Sequence, residues 1–269
     1  VPFDEWDTEN NSYKIRYTSI SPTELDDLVS IRIYDADGTP MTAWFNKASI
    51  ANTAMRHIAS IEAAGETAIS AYADLLTVYA DLLNYGAEAQ KFAGYKVDSL
   101  ANRYFTEAQQ KAYATQKAAF ADDGISKNYK VIEDLNAYNV YGANLLLEAN
   151  MVLNMYFVVA EGTTIDELLV EVDHDGFHHV LSKDNMVIEK NNILKISIRD
   201  LSLTNASTAV SVKITNVTIG EVVSTLDYSI NNACYGGIGM YPEFASIYEA
   251  ILKFSYSTHK YAYPEEVEG

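Results

Sequence analysis

The sequence has little cysteine, little positive charge and no long apolar run, and each shortage excludes a class of protein. Cys234 is the only cysteine among 269 residues, so no disulfide can form within the chain. Nineteen Lys and Arg face 37 Asp and Glu, and the net charge of −18 disfavours nucleic acids and anionic membranes as partners. No apolar run reaches the ~18 residues that a membrane-spanning helix needs, so we expect no membrane insertion.

Motifs that carry catalysis are also missing. The sequence contains no Gly-x-Ser-x-Gly elbow, no phosphate-binding loop, no His-Glu-x-x-His and no Gly-x-Gly-x-x-Gly. Its acidic residues form too many possible pairs to indicate a glycosidase, whose two carboxylates need a defined separation of roughly 5–10 Å. We therefore expect a protein that is not an enzyme and that needs no cofactor.

Two acidic segments raise the question of a metal ion. Asp173-His-Asp-Gly-Phe-His-His179 combines imidazoles and carboxylates, which are ligands for zinc or copper. Asp35-Ala-Asp-Gly38 lacks the further oxygen ligands and the closing Glu of a calcium loop. Both segments lie between strand-like runs, where Asp-Gly favours a tight turn. We predict a hairpin turn at each place and no metal site.

An internal repeat is present. The amphipathic segment 75–102 aligns with 247–262 at a constant offset of 169 residues (247 minus 78), so that Tyr85 matches Phe254. Other segments match at offsets of 180 or 181, namely 20–21 with 201–202, 28–34 with 209–215, and 49–52 with 229–232. Fixed offsets of this kind are the mark of a duplicated unit.

In each repeat, alternating apolar residues predict strands, and a helical period follows them. The first repeat has no counterpart of the strands predicted within 145–172, so these either precede the sequence or are missing from a smaller sheet. We predict an α+β fold of two related lobes, residues 1–135 and 136–269. Each lobe is expected to be a small antiparallel β-sheet or sandwich followed by a helix cluster.

Glycines and polar residues predict details of the helices. A helix is predicted from 68 to about 92, and Gly86 inside it indicates close packing of another element. Thr106 and Gln109 fit a capping box for the next helix. Gly236-Gly-Ile-Gly239 is expected to interrupt the helical pattern that resumes at Ser229.

Several of these motifs resemble a repeat found in large secreted and cell-surface proteins of gut anaerobes. LLNYGAEAQKFAGY at 82–95, with SLAN at 99–102, is similar to its helical motif. The segments 142–159 and 223–236 resemble its opening strands and its strand-to-helix junction. Similar modules occur in starch-adherence proteins of the amylosome type, where they are associated with non-catalytic binding of α-1,4-glucan.

The resemblance implies a function and a location. It implies a secreted or cell-surface module of a larger multidomain protein, with starch or maltooligosaccharide as the partner. The second copy departs from the motif, because Ser255 and Tyr256 replace Gly86 and Ala87. The absence of a charged-then-apolar leader also suggests a mature or excised segment. The competing prediction is a structural or protein-interaction module of a bacterial cell-surface protein.

Aromatic residues outside the helices are the candidates for a glycan site, since sugar rings stack on aromatic faces. Tyrosines on helical faces, such as Tyr79, Tyr85 and Tyr248, are expected in the core. Trp44 ends a strand, where it could line a groove or serve as a buried plug. The predicted ligand-binding residues, placed around a groove between the lobes, are Trp44, Tyr129, Tyr138, Tyr141, Tyr235 and Tyr241.

Overall fold

The computed structural model describes residues 5–7, 12–14, 17, 20–116, 130–131, 138–148 and 151–267. These residues form antiparallel sheets and helices, which confirms the predicted α+β fold. Among the helices in this part of the chain, none combines the length and the apolar character needed to cross a membrane.

The described part of the first lobe contains two short hairpins followed by helices. β1 (Glu5–Asp7) pairs with β2 (Ser12–Lys14), and β3 (Val29–Ile31) pairs with β4 (Phe45–Ala48). The helices are α1 (Ile50–Ala63), α2 (Glu66–Ala71), α3 (Ala73–Ala93) and α4 (Glu107–Tyr113). Ile58, Leu76 and Leu83 are fully buried where α1 meets α3, and they form the centre of this lobe's apolar core.

The second lobe is a β-sandwich followed by helices. Its strands are β5 (Lys130–Val131), β6 (Asn139–Leu147), β7 (Met151–Val158), β8 (Leu168–His174), β9 (Phe177–Val180), β10 (Met186–Glu189), β11 (Ile193–Leu201), β12 (Val210–Asn216) and β13 (Glu221–Tyr228). One antiparallel sheet has the order β10-β11-β7-β6, and the other has the order β5-β13-β12-β8-β9. The helices α5 (Ile230–Met240), α6 (Ala245–Ala262) and α7 (Pro264–Val267) come last.

Period-two alternation builds the sandwich core, because successive strand residues point to opposite faces of a sheet. In β8, Val170 and Val172 are fully buried, and the residue between them is only half-buried. Leu194 and Ile196 repeat the pattern in β11 of the other sheet. All four belong to one continuous core that also includes residues of α5 and α6.

Matched hydrogen bonds show that the two lobes are related. Ala51 N donates to the Leu25 carbonyl at 2.8 Å, and Asn231 N donates to the Ala206 carbonyl at 3.0 Å. These atoms correspond at the offsets of 180 and 181 found in the sequence. The helix caps correspond too, since the hydroxyl of Ser49 caps α1 and that of Ser229 caps α5. The duplication therefore extends to individual backbone contacts.

The repeated helices α3 and α6 pack antiparallel against each other. Lys260, near the end of α6, forms an ion pair of 2.9 Å with Asp74 at the start of α3. Midway along the pair, the rings of Tyr85 and Phe254 stack with centroids 5.7 Å apart. Because Tyr85 and Phe254 are equivalent residues of the two repeats, the helix pair has an approximate two-fold axis at this contact.

Two glycines mark close contacts of helices, and one of them overturns a prediction. A Cβ on Gly86 would lie 2.6 Å from Leu25 Cδ1, which confirms the predicted close packing. The predicted interruption at Gly236–Gly239 is wrong, because α5 continues through these residues. A Cβ on Gly237 would lie 2.4 Å from the ring of Tyr248 on α6. The glycine therefore leaves room for α6 to pack against α5, and it does not end α5.

Other boundaries differ from the prediction in smaller ways. The helix predicted from 68 to 92 is divided at Tyr72 into α2 and α3. Thr106 and Gln109 form the predicted capping box of α4. Residues 130–131, which the sequence places in the first lobe, form β5 and pair with β13 in the sheet of the second lobe.

Candidate functional site

A groove of about 320 Å³ lies between the two lobes, beside the two-fold contact. Ile20 and Pro22 of the first repeat line one side, and their equivalents Leu201 and Leu203 line the other. Tyr85 is also part of the lining. This groove is where the sequence places the ligand.

The chemistry of the groove does not suit a sugar. Tyr85 is buried and offers no free face for stacking. The Thr204 carbonyl accepts a hydrogen bond from His259 Nδ1 at 2.9 Å, and the Thr258 hydroxyl donates to the Phe254 carbonyl at 2.8 Å. A glycan site needs open aromatic faces with polar groups ready to bond hydroxyls. In the groove, Tyr85 offers no open face, and the Thr204 carbonyl and the Thr258 hydroxyl already have partners.

Two of the predicted residues serve the core. Tyr138 is buried, and its hydroxyl lies 3.3 Å from the hydroxyl of Thr163. Its inclusion among the ligand-binding residues is therefore corrected, because its ring has no open face. Tyr235 lies on α5 and packs against the sandwich core. Tyr129 lies outside the described residues.

The other three predicted residues are exposed but lie apart in the fold. Tyr141 projects from β6 with 70% of its surface exposed. Tyr241 follows α5, and Trp44 precedes β4 with 57% of its surface exposed, so Trp44 is not a buried plug. Of the five predicted residues that the structure describes, none lines the groove between the lobes.

Trp44 belongs to an aromatic group on the β3–β4 hairpin, which we call the Trp44 platform and define as Arg32, Tyr34 and Trp44. The guanidinium carbon of Arg32 lies 5.6 Å from the ring centroid of Tyr34 and 5.8 Å from that of Trp44. Such distances allow cation–π attraction to both rings. Arg32 Nε also donates to the Thr42 carbonyl at 3.0 Å, which ties the side chain to the opposite arm of the hairpin.

The turn of this hairpin fixes the platform. Asp35 Oδ1 accepts hydrogen bonds from the backbone N–H groups of Asp37 at 3.0 Å and Thr39 at 2.7 Å. Gly38 adopts a φ of 80°, a value that glycine tolerates without strain. Tyr34 and Pro40 form a bridge directly beyond the turn. The predicted turn at 35–38 is thus confirmed.

The sequence contains a local signal for Tyr34 and Arg32. Residues 32 and 34 share one face of a strand because successive side chains alternate. Folding the chain back at the Asp35 turn puts Pro40 opposite Tyr34 and Thr42 beside Arg32. Trp44 follows two residues further along the same arm. Counting outward from the turn would have grouped Arg32, Tyr34 and Trp44.

A second exposed aromatic cluster could not be read from local sequence. The Phe92 ring meets the Phe244 ring edge-on at 5.1 Å, and Tyr241 lies 6.5 Å from Phe244. Phe92 ends α3, whereas the other two lie between α5 and α6. Only the packing of α3 on α6 joins them.

The histidine-rich segment forms the predicted hairpin between β8 and β9. Asp175 and Gly176 have φ values of 51° and 78°, as a tight two-residue turn requires. His178 Nδ1 lies 2.8 Å from Asp173 Oδ1. Within the ranges that the structure describes, no group of three or more His, Cys, Asp and Glu residues is arranged to hold a metal ion.

Cys234 and Asp81 are buried titratable groups that lie in the interior of the protein. Burial raises the pKa of the Cys234 thiol well above its ordinary value. Burial likewise raises the pKa of Asp81, although hydrogen bonds from Thr115 and Ser257 act against the increase. Thr115 donates its backbone N–H to Asp81 at 3.0 Å and its hydroxyl at 2.5 Å. Asp81 thereby fastens the end of the α4 segment to α3.

No family model, no curated protein and no solved structure matches this chain.

Proposed function

We propose that the chain is a non-catalytic carbohydrate-binding module that binds starch-like α-1,4-glucan at the Trp44 platform. The observation that carries the proposal is the pair of exposed rings of Trp44 and Tyr34, with the Arg32 guanidinium held between them. The C–H face of a sugar stacks on an aromatic ring. A guanidinium has five N–H donors, which can bond the hydroxyls at the sugar's rim.

The hydrogen bonds and the charge of the protein are consistent with non-catalytic binding. Arg32 uses Nε on the Thr42 carbonyl, and among the described residues its Nη atoms make no hydrogen bond. A glucan is uncharged, so the net charge of −18 does not oppose its approach. We place the ligand at the hairpin and not in the groove between the lobes, because Thr204 and Thr258 of the groove already have partners and the ring of Tyr85 is buried.

The resemblance seen in the sequence completes the proposal. A repeat similar to that of secreted starch-adherence proteins supports starch or maltooligosaccharide as the partner. It also supports a secreted or cell-surface location within a larger multidomain protein. The identity of the glycan and the location of the protein do not follow from the hairpin itself. Its aromatic rings and guanidinium could also bind other neutral glycans.

Affinity electrophoresis in gels with and without soluble starch tests the proposal. The wild-type chain should be retarded by starch, and Trp44→Ala should raise the dissociation constant at least about tenfold, the equivalent of about 1.4 kcal/mol. Tyr141→Ala is the matched control, because Tyr141 is also exposed but lies on β6. Unchanged mobility of the wild type across several polysaccharides, or equal retardation of Trp44→Ala, would contradict the proposal.

The competing function is a protein-interaction module, and one observation favours it. The cluster of Phe92, Tyr241 and Phe244 adjoins Met240, whose surface is 67% exposed. Exposed apolar groups of this kind are common at protein interfaces. If the chain is a protein-interaction module, we expect no binding to any glycan. We also expect that a protein partner is captured by the wild-type chain and is no longer captured by Phe92→Ala.

A further inference from the structure

The two repeats contain equivalent hairpins of equal length. The pair Ile31–Phe45 of β3–β4 corresponds to the pair Val212–Leu226 of β12–β13, because both members match at an offset of 181 (212 minus 31 and 226 minus 45). The two hairpins therefore have the same number of residues beyond these pairs. A structural difference between them in this part does not come from an insertion in the sequence.

The arms of β12–β13 stay in register beyond this pair. Lys213 lies directly opposite Thr225, and the next pair is also in register before the second arm gains one additional residue. Lys213 Nζ also donates a hydrogen bond to Glu171 of the neighbouring strand at 2.6 Å. This part of the second lobe is a regular ladder with polar side chains.

The arms of β3–β4 lose their register at the corresponding place. Between the pair Ile31–Phe45 and the bridge Tyr34–Pro40, the first arm advances by three residues (34 minus 31) and the second by five (45 minus 40). Two additional residues on one arm form a β-bulge, and Trp44 belongs to it. Bulges are over-represented next to functional sites, because they change the direction of side chains.

Thr42 ties the bulged arm to the first arm. Its hydroxyl accepts a hydrogen bond from Ile33 N at 3.2 Å, where a regular ladder would use a backbone carbonyl. Its own carbonyl accepts a hydrogen bond from Arg32 Nε at 3.0 Å. Thr42 therefore fixes both the backbone beside the bulge and the side chain that lies between the two rings of the Trp44 platform.

We propose that this bulge makes the hairpin of the first lobe a glucan-binding surface, with Thr42 as its positioning residue. The inference rests on the proposed function of the Trp44 platform. In the second lobe, the counterparts of Arg32 and Trp44 are Lys213 and Thr225, which face each other across a regular ladder. In the first lobe, the bulge places a guanidinium 5.8 Å from the centre of an exposed indole ring. Glucan is therefore bound by the first lobe alone, at one site per chain.

A platform that is fixed before binding loses less conformational freedom when the sugar arrives. An arginine side chain has much rotamer freedom, and the bond from Arg32 Nε to Thr42 removes part of it while the Nη atoms stay available for sugar hydroxyls. Without the Thr42 hydroxyl, the backbone N–H of Ile33 loses its acceptor. The bulged arm can then shift, and the ring of Trp44 moves relative to Arg32.

Isothermal titration calorimetry of the intact chain with maltoheptaose tests the positioning role. Thr42→Val keeps the shape of the side chain but removes the hydroxyl, and the dissociation constant should rise about fivefold, as expected for one lost hydrogen bond. Thr42→Ser keeps the hydroxyl and should restore wild-type affinity. The matched control is Thr225→Val in the equivalent hairpin, because the Thr225 hydroxyl makes no hydrogen bond within the described residues. Its affinity should equal that of the wild type.

Amide exchange provides a second measurement that needs no substitution. The amide of Ile33 should exchange slowly in the wild-type chain and more slowly with maltoheptaose bound, because the ligand holds the platform in place. Faster exchange of this amide in Thr42→Val, with an unchanged circular dichroism spectrum, would show a local effect on the hairpin.

The outcomes separate this inference from the function on which it rests. We expect one maltoheptaose per chain. Wild-type affinity of Thr42→Val, an Ile33 amide that the ligand does not protect, or two ligands per chain would overturn the inference and leave glucan binding at Trp44 in place. A wild-type chain that binds no glucan would overturn the proposed function, and this inference with it.

Discussion

Tyr85 and Phe254 stack with an angle of 20° between their rings, and they occupy the same position in the two repeats. The contact therefore lies on the approximate two-fold axis that relates α3 to α6. Tyr85 comes from the first lobe but is buried in the apolar core of the second. Because one core includes residues of both lobes, we expect the lobes to unfold together.

Removing the two rings tests this coupling. Tyr85→Ala should lower the free energy of unfolding by about 3–5 kcal/mol, because a large buried ring is lost. Phe254→Ala should cost less, since Phe254 is only partly buried. The double variant should show an interaction of about 0.5–1.5 kcal/mol, the range for stacked aromatic pairs. Urea unfolding of all four proteins, followed by fluorescence and circular dichroism, gives these values. Separate transitions for the two lobes would refute the shared core.

The glycines of α5 should respond in opposite directions to alanine. Gly237→Ala should destabilise the chain by about 1–3 kcal/mol, because the new Cβ would overlap the Tyr248 ring. Gly239→Ala in the same helix meets no atom within 4 Å and should stabilise by up to about 1 kcal/mol. Thermal unfolding of the two single variants measures the difference.

Tyr248→Ala provides the control for that experiment. In this background the Cβ of Gly237→Ala has room, so the substitution should become neutral or favourable. A penalty that persists without the Tyr248 ring would show that helix packing is not its cause.

Asp81 should make stability depend on pH. Burial raises its pKa above the value of about 4 for the unfolded chain, so the folded state binds the proton more readily between these two values. The contribution of Asp81 to the free energy of unfolding therefore increases as the pH falls through the raised pKa towards 4. Asp81→Asn should flatten that part of the profile, as measured by urea midpoints between pH 4.5 and 7.

The control for Asp81 is Asp74→Asn, a partly exposed carboxylate on the same helix. It removes one carboxylate outside the buried site, so it controls for the loss of a charge from the helix. Asp81→Ala should in addition cost about 1–3 kcal/mol at neutral pH, because the backbone N–H of Thr115 would lose its acceptor. If the urea midpoint of Asp81→Asn depended on pH as that of the wild type does, the result would contradict a raised pKa of Asp81.

The sequence alone was sufficient where the signal was local or repeated. Fixed offsets predicted that α6 is a copy of α3, and Asp-Gly pairs predicted the turns at 35–38 and 175–176. The capping box at Thr106 needed only four residues. Each of these features depends on neighbours in the chain or on a duplicated pattern.

Prediction failed where a distant residue decided the outcome. Gly237 looked like a helix breaker because the Tyr248 ring that requires it is on another helix. The sequence predicts Tyr138 as a ligand-binding residue, but Tyr138 directly precedes β6, and its ring lies in the sandwich core. Exposure of an aromatic ring is set by tertiary packing, which spacing in the sequence does not encode.

The most direct test of glucan binding is a crystal structure of the chain grown with maltoheptaose. We expect a glucosyl ring stacked on Trp44 or Tyr34, with sugar hydroxyls within hydrogen-bond distance of the Arg32 Nη atoms. A ligand in the groove beside Tyr85, a ligand at the Phe92 cluster, or a platform left empty at saturating maltoheptaose would contradict it.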